Sequence, residues 1–255
     1  MQHKSQYSFV SFLLALILVS LACGSAQPTP TQAPTATVTI VPSKTPKPSA
    51  TPRPTKTPNL AATQHADKLN AEAQAYFEKG YLTTPDGKFI EYDNFLEETA
   101  HLTSYSWQLL DEKASDFFMS AHFKWSSAYR NADISGCGFA FAIQDNYDQY
   151  AIFLDRSKIY FVQADLFYRP VGLTRGTGRV KFDNPFDKPV EADFTLIVKG
   201  AYAYVLVNGE VVGEYTLSQS RPLYGNLGLA LLSGTNKDYG TRCQMTNLHL
   251  WTPKE

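Results

Sequence analysis

Apolar residues follow several different patterns along the 255-residue chain. Residues 9–22 form a nearly continuous apolar run, whereas residues 25–59 lack any apolar period. Apolar positions then recur at helical spacing up to residue 80, and they mostly alternate with polar ones beyond it. The pattern therefore predicts a short apolar leader, a spacer, one helix and a β-rich domain.

The apolar run at residues 9–22 is preceded by a polar stretch that carries Lys4. It is shorter than the roughly 20 residues that a membrane-spanning helix needs. A basic start, a short apolar core and a small residue before the cleavage point are typical of a signal peptide. We expect residues 1–22 to be removed between Ala22 and Cys23.

The spacer is rich in proline and threonine, with nine of each between Pro28 and Pro58. Such a composition cannot bury enough apolar area to form a core. Its prolines favour an extended polyproline II conformation, which rises about 3.1 Å per residue. We expect residues 23–59 to form a disordered tether that begins with Cys23.

Charge is unevenly divided between the spacer and the rest. Residues 1–59 contain five basic residues and no acidic one, whereas residues 60–255 contain 18 basic and 24 acidic residues. Binding to a nucleic-acid backbone needs clustered Lys and Arg. The mildly acidic domain therefore argues against a nucleic-acid partner.

The helical period covers residues 60–80. Leu69, Ala73, Tyr76 and Phe77 are spaced at i, i+4, i+7 and i+8, as on one face of a helix. Gly80 is a plausible end of that helix.

Strand patterns dominate from residue 81 onward. The strongest hairpin signal is Asn208-Gly209, which separates two alternating apolar runs. Residues 155–157 separate two further runs in the same way. Ten or more strands without intervening helices indicate a sandwich or barrel. The other predicted strands lie at residues 117–125, 138–143, 194–198, 226–232 and 244–251.

Residues 19–25 resemble a bacterial lipobox, the motif in which a cysteine is acylated and becomes the mature N-terminus. Ala22 and Cys23 match the motif, whereas Ser20 stands where leucine or valine is usual. The resemblance implies that the protein is exported and anchored to the outer face of the cell membrane through lipid on Cys23. The alternatives are an ordinary signal peptide or an uncut anchor, with Cys23 incidental.

The β-rich part resembles the concanavalin A-like lectin/glucanase superfamily over roughly residues 85–253. The resemblance implies an all-β jelly roll of two antiparallel sheets over residues 81–255, preceded by the short helix and the tether. It also implies that tyrosines on the concave sheet bind sugars, with Tyr147, Tyr150, Tyr160, Tyr168 and Tyr239 as candidates. The segments that carry it are 117–125 with 136–141, 202–209, and 228–230 with 246–251.

Three cysteines are present. If Cys23 is lipidated, Cys137 and Cys243 remain as a pair in an oxidising compartment. In the implied fold both begin their strands at the same end of the sandwich, so we expect a disulfide between them. Two buried free thiols are the alternative.

Candidate catalytic groups are few. A glucanase of this superfamily would carry Glu-x-Asp-x-x-Glu on one strand, and Glu210 and Glu214 could share a face but lack the intervening Asp. None of His65, His101, His122 and His249 is paired at metal-ligand spacing, and they are read as surface or sheet residues. We therefore expect a domain that is not an enzyme.

Two oxygen-rich loops, residues 145–148 and 183–187, could hold Ca²⁺, although such turns are common without a metal. We expect no other cofactor.

The leading hypothesis for function is a non-catalytic binding domain for an extracellular glycan, displayed by a membrane-tethered lipoprotein. One alternative is a structural or protein-interaction accessory lipoprotein that contacts another surface protein. The other is a sugar hydrolase with an unrecognised site.

Overall fold

The computed structural model describes residues 60–129, 134–165, 167–182 and 188–254. The predicted signal peptide, the predicted lipid attachment site Cys23, the predicted tether and the oxygen-rich loop at residues 183–187 lie outside the described residues. Within those described ranges, no helix has the length and apolar character needed to cross a bilayer.

The one helix of the described ranges, α1, spans Leu60–Glu78. It ends where the sequence predicts, because Gly80 adopts a φ of 78° that favours glycine. The amides of Gly80 and Tyr81 then bond back to the carbonyls of Phe77 and Tyr76.

In the part of the chain that the structure describes, fourteen antiparallel strands form two sheets. An eight-stranded sheet has the order β1-β14-β4-β10-β11-β12-β9, with β2 also paired to β14, and a six-stranded sheet has the order β3-β13-β5-β6-β7-β8. The predicted jelly-roll sandwich is therefore confirmed. The strands are β1 (Gly87–Glu91), β2 (Phe95–Thr99), β3 (Ser104–Ala114), β4 (Phe117–Ser127), β5 (Gly136–Ile143), β6 (Gln149–Leu154), β7 (Ile159–Ala164), β8 (Tyr168–Pro170), β9 (Leu173–Gly176), β10 (Val190–Lys199), β11 (Tyr202–Val207), β12 (Glu210–Thr216), β13 (Gly225–Ser233) and β14 (Thr241–Pro253).

The main core lies between the two sheets, where alternate residues of facing strands point inward. Phe123 of β4 and Phe194 of β10 stack at 4.9 Å between ring centroids, and Phe139 of β5 contacts Phe123 edge-on from the opposite sheet. All three rings are fully buried. Burial of a large apolar side chain contributes about 1.5–3 kcal/mol, so this layer supplies much of the stability.

A disulfide joins Cys137 to Cys243, the pair expected from the sequence. Cys137 lies on β5 and Cys243 on β14, so the bond ties the six-stranded sheet to the eight-stranded sheet. The two Cα atoms are 5.5 Å apart, and both residues are fully buried. The bond closes a 106-residue separation in sequence.

Helix α1 packs on the outer face of the eight-stranded sheet. Its buried Ala73 and Tyr76 contact Phe118, Ile197 and Trp251, which all point outward from that sheet. Tyr76 meets Phe118 edge-on at 5.1 Å. The helix therefore covers one sheet and leaves the outer face of the six-stranded sheet uncovered by it.

Candidate ligand-binding site

The uncovered outer face of the six-stranded sheet has a floor of small residues. Strand register places the outward residues in a row that runs from Trp107 on β3 across the sheet to Phe153 and Tyr160. Between the aromatic ends the row consists of Ala230 and Gly138. The next row repeats the pattern with Gly228, Ala140 and Ala151. Small residues in the middle leave room for aromatic rings to lean inward from the edges.

This face is strongly concave. Tyr105 and Tyr168 lie on β3 and β8, the two edge strands, yet their ring centroids are 5.4 Å apart. A flat six-stranded sheet would separate its edge strands by about 24 Å, since neighbours lie about 4.8 Å apart. Tyr105 also contacts Phe153 at 5.3 Å. The curvature brings rings from both edges into one cluster above the small residues.

Several rings of this cluster remain open to solvent. Tyr147 is 69% exposed and Tyr168 is 55% exposed. Half-buried Trp107 lies 6.3 Å from Tyr147 between ring centroids. Exposed aromatic surface on a concave face is typical of a binding site, because single exposed rings are common but grouped ones are not.

Two buried polar atoms beneath these rings lack a hydrogen-bond partner among the described residues. They are the Tyr105 hydroxyl and Oε1 of Gln149, on residues that are only 8% and 4% exposed. Burial and the neighbouring Tyr168 hydroxyl raise the pKa of Tyr105 well above its usual range, and the nearby Gln149 side chain offsets only part of this increase. An unpaired buried polar group destabilises the protein, because it has lost its hydrogen bonds to water. A ligand that supplies hydroxyl groups would restore hydrogen bonds to these two atoms.

An ion-pair network stands at one end of the concave face. Arg221 pairs with Asp165 and lies 3.6 Å from Asp148, while Arg169 lies 2.9 Å from Asp165. The amide of Phe167, followed by Arg169 and Arg221, holds the pKa of Asp165 below its usual range. The network therefore presents fixed charges beside the rings.

The five tyrosines predicted to bind ligand separate into two groups. Tyr147, Tyr160 and Tyr168 meet on the concave face. Tyr150 points the other way: its buried ring stacks on Phe141 in the core between the sheets and is absent from the concave face. Tyr239 lies apart, in the segment before β14. Trp107 and Tyr105 are candidates that the sequence pattern does not indicate, because they lie on β3, outside the predicted strands.

The candidate carboxylates Glu210 and Glu214 do not share a face. A β-bulge interrupts the pairing of β11 with β12 between them. As a result Glu214 is opposite Tyr204, which faces outward, whereas Glu210 is opposite Val207, which faces the core. The expectation that they could share a face is wrong, because the bulge adds one residue to the alternation.

The described oxygen-rich loop, residues 145–148, is held by its own side chains. Asn146 Oδ1 accepts the amide of Asp148, and the Asp148 carboxylate faces Arg221. Within the described ranges, no group of three His, Cys, Asp or Glu side chains is placed to hold a metal ion.

Comparison with known proteins gives structural neighbours only. No family model matches the chain, and no curated protein sequence matches it significantly. A carbohydrate-binding module, CBM66 from Bacillus subtilis, is 12% identical with a TM-score of 0.43, and the match covers 64% of this chain and 95% of that one. A legume lectin-like domain from Entamoeba histolytica is 13% identical with a TM-score of 0.42, covering 67% and 89%.

A fructosyltransferase from A. japonicus is also similar, at 14% identity and a TM-score of 0.45. The match covers 69% of this chain but only 28% of that enzyme. All three have low sequence identity to this chain. The jelly roll described above is defined by the strand order of this chain itself.

Proposed function

We propose that this chain is an exported lipoprotein whose folded domain binds a glycan, without catalysis, on the concave face of the six-stranded sheet. The observation that carries the proposal is the group of solvent-open rings, Trp107, Tyr147 and Tyr168, above two unpaired buried polar atoms.

The chemistry of this face suits a sugar chain. Aromatic rings offer flat apolar surface on which the C–H face of a sugar ring can lie. The Tyr105 hydroxyl and Gln149 Oε1 can take part in hydrogen bonds with sugar hydroxyls that reach between the rings. Asp148 and Arg221 can bind further hydroxyls at the end of the face.

A non-catalytic role fits the carboxylates near this face. Glycoside hydrolysis needs one carboxyl group that keeps its proton near neutral pH, which requires a raised pKa. The pKa of Asp165 is shifted in the opposite direction, and both Asp165 and Asp148 face Arg221. Asp165 is therefore suited to fixing a ligand and not to donating a proton.

The N-terminal residues and the disulfide support a position of the folded domain outside the cell membrane. The lipobox-like residues 19–25 and the Pro/Thr-rich residues 25–59 would provide an anchor and a spacer on the order of 100 Å long. A disulfide between Cys137 and Cys243 suits an oxidising compartment.

Affinity electrophoresis and glycan arrays with the purified full chain test the proposal. We expect retention on one class of polysaccharide, and a loss of at least tenfold in affinity for Trp107→Ala and Tyr147→Ala. Tyr202→Ala is the matched control, because Tyr202 is an exposed tyrosine on the other sheet. Binding that is insensitive to both substitutions would contradict the assigned face.

A protein partner is the second candidate. Leu109 and Phe167, which are 52% and 68% exposed, lie on strand β3 and next to β8, the two edge strands. They lie at the edges of the sheet that carries the exposed rings, and grouped apolar surface is typical of protein contacts. Failure on all glycans, with capture of a single protein that Trp107→Ala abolishes, would favour this candidate.

A further inference from the structure

A cleft of about 710 Å³ lies between α1 and the outer face of the eight-stranded sheet, on the opposite side of the sandwich from the aromatic face. The cleft forms where the outward-facing residues of β4 change from apolar to polar. Outward residue Phe118 packs against α1, whereas the next two outward residues, Ser120 and His122, are polar. The helix is therefore held on the apolar part of the sheet and stands over the polar part without filling it.

The floor of the cleft is a square of four polar side chains on two neighbouring strands. Ser120 is paired in register with Thr195, and His122 with Asp193. The hydroxyl oxygens of Ser120 and Thr195 are 2.8 Å apart, and His122 Nδ1 is 2.8 Å from Asp193 Oδ1. Strand spacing fixes the Cα atoms of neighbouring corners of this square about 5–7 Å apart, on rigid elements.

A hydrogen-bonded clasp fixes α1 as the wall of this cleft. Glu72 of α1 accepts the Tyr76 hydroxyl at 3.0 Å and faces His249 Nε2 at 2.9 Å, while His249 Nδ1 is 3.0 Å from the Asn247 carbonyl. A carbonyl and a carboxylate can only accept, so this geometry favours the form of His249 in which both ring nitrogens carry a proton. Burial lowers the pKa of His249, but the hydrogen bond and charge of Glu72 outweigh it and raise the pKa overall.

Other polar groups of the lining remain available. His122 Nε2, the Lys68 ammonium and the Asn247 side-chain amide make no hydrogen bond within the described part of the chain. His65 faces Glu91 at the mouth of the cleft. Donors and acceptors thus alternate around the space.

The charges of the lining argue for a neutral ligand. Each of its three carboxylates, on Glu72, Glu91 and Asp193, faces a histidine nitrogen. Each carboxylate is therefore already hydrogen-bonded, and the Lys68 ammonium adds a positive group to the same lining. Closely spaced donors and acceptors of this kind match a ligand that carries many hydroxyl groups.

We propose that this cleft is a second binding site, for a neutral polyhydroxylated ligand of one or two sugar residues. Its volume falls in the range of about 300–1,000 Å³ that is typical of small-molecule sites. The site goes beyond the aromatic face and does not depend on it. Occupied together, the two sites would let one domain hold two sugar segments on opposite faces, which raises the overall affinity for a branched or bundled glycan.

The histidines of the cleft provide the test. The full chain, labelled with ¹³C at histidine Cε1, is titrated with a panel of neutral mono- and disaccharides while the imidazole resonances are followed. We expect at least one sugar to shift His65, His122 and His249 and to leave His101, which lies in an exposed turn, unchanged. A ligand that binds only as a disaccharide would identify a glycan segment as the natural source, and one that binds as a monosaccharide would identify a free sugar.

Matched variants make the assignment specific. Asp193→Asn should weaken the sugar-induced shifts about tenfold or more, because it removes a charged acceptor at the floor. Glu191→Gln, two residues away on the same strand and bonded to Lys124, should leave them unchanged. Trp107→Ala should also leave them unchanged, which separates this site from the aromatic face. The proposal is overturned if no sugar of the panel shifts the three histidines, or if Asp193→Asn does not weaken the shifts.

Discussion

Tyr105 buries its hydroxyl beneath Tyr168, a residue from the opposite edge of the same sheet, with 5.4 Å between the two ring centroids. The contact combines favourable packing of aromatic rings with an unfavourable polar atom, because the hydroxyl lacks a partner among the described residues. The unpaired Tyr105 hydroxyl therefore lowers the free energy of unfolding of the unliganded protein. Binding of a sugar hydroxyl at that atom would recover the loss.

Tyr105→Phe should therefore have opposite effects on stability and on binding. We expect the free energy of unfolding to rise by about 1 kcal/mol, because an unpaired buried group costs roughly 1–3 kcal/mol. Glycan affinity should fall at the same time. Urea unfolding of the unliganded protein measures the first effect, with Tyr76→Phe as control. That variant should lose stability, because the Tyr76 hydroxyl donates to Glu72.

The disulfide should be a major source of stability. In the chain-entropy model, a bond that closes a loop of about 106 residues contributes roughly 4–5 kcal/mol. We expect Cys137→Ala/Cys243→Ala to lower the free energy of unfolding by that order. Both sulfur-bearing residues are fully buried, so a reductant alone should leave the native protein oxidised. Two titratable thiols in denatured, unreduced protein would contradict the bond.

The clasp between His249 and Glu72 should make stability fall as the pH rises. The pKa of His249 is raised in the folded protein above its usual value of about 6.5, so the contact stabilises the protonated form. Its contribution is complete below about pH 6.5 and is lost as the pH rises through the folded-state pKa. Urea unfolding at about pH 6 and about pH 9 measures the difference.

Glu72→Gln should remove most of this pH dependence, because the carboxylate that favours the imidazolium is gone. Glu112→Gln removes an exposed pair with Lys88 and should leave the dependence in place. Equal slopes in the wild type and in Glu72→Gln would show that the clasp does not stabilise the fold.

Local signals predicted much of the fold. Asn208-Gly209 marks the β11–β12 hairpin, and Gly80 marks the end of α1, because both residue types suit positive φ angles that the structure contains. The strands β6 and β7 are nearly all apolar, so alternation did not reveal which residues face the core. For that reason the sequence does not distinguish Tyr150 from Tyr160, although the two side chains lie on opposite faces of the sheet.

The polar cleft could not be predicted from local sequence. Its histidines come from α1, β4 and β14, which are distant in the chain and adjacent only after folding. The bulge that separates Glu210 from Glu214 was equally invisible, because Val211, Val212 and Gly213 continue the strand pattern without a break. The polar cleft and the bulge both depend on how distant segments pair and pack, and not on the residue types of one segment.

The proposed lipid anchor can be tested separately, through residues 1–59. Expression in a bacterial host with an alkyne fatty acid should label the chain, and Cys23→Ala should abolish the label and release the protein from the membrane fraction. Ser20→Leu introduces the residue usual at that position and should keep the label. Mass spectrometry that finds an unmodified Cys23, or a mature start elsewhere, would contradict the anchor.

Trp107 allows the most direct test of glycan binding on the concave face. The chain has three tryptophans, and Trp125 and Trp251 are buried at 2% and 1% exposure, so half-buried Trp107 supplies the fluorescence that a soluble quencher can reach. We expect a glycan identified by affinity electrophoresis to protect this emission from iodide or acrylamide in a saturable way, and Trp107→Phe to abolish the protected signal. A glycan that binds the protein yet leaves the quenching of Trp107 unchanged would contradict the account.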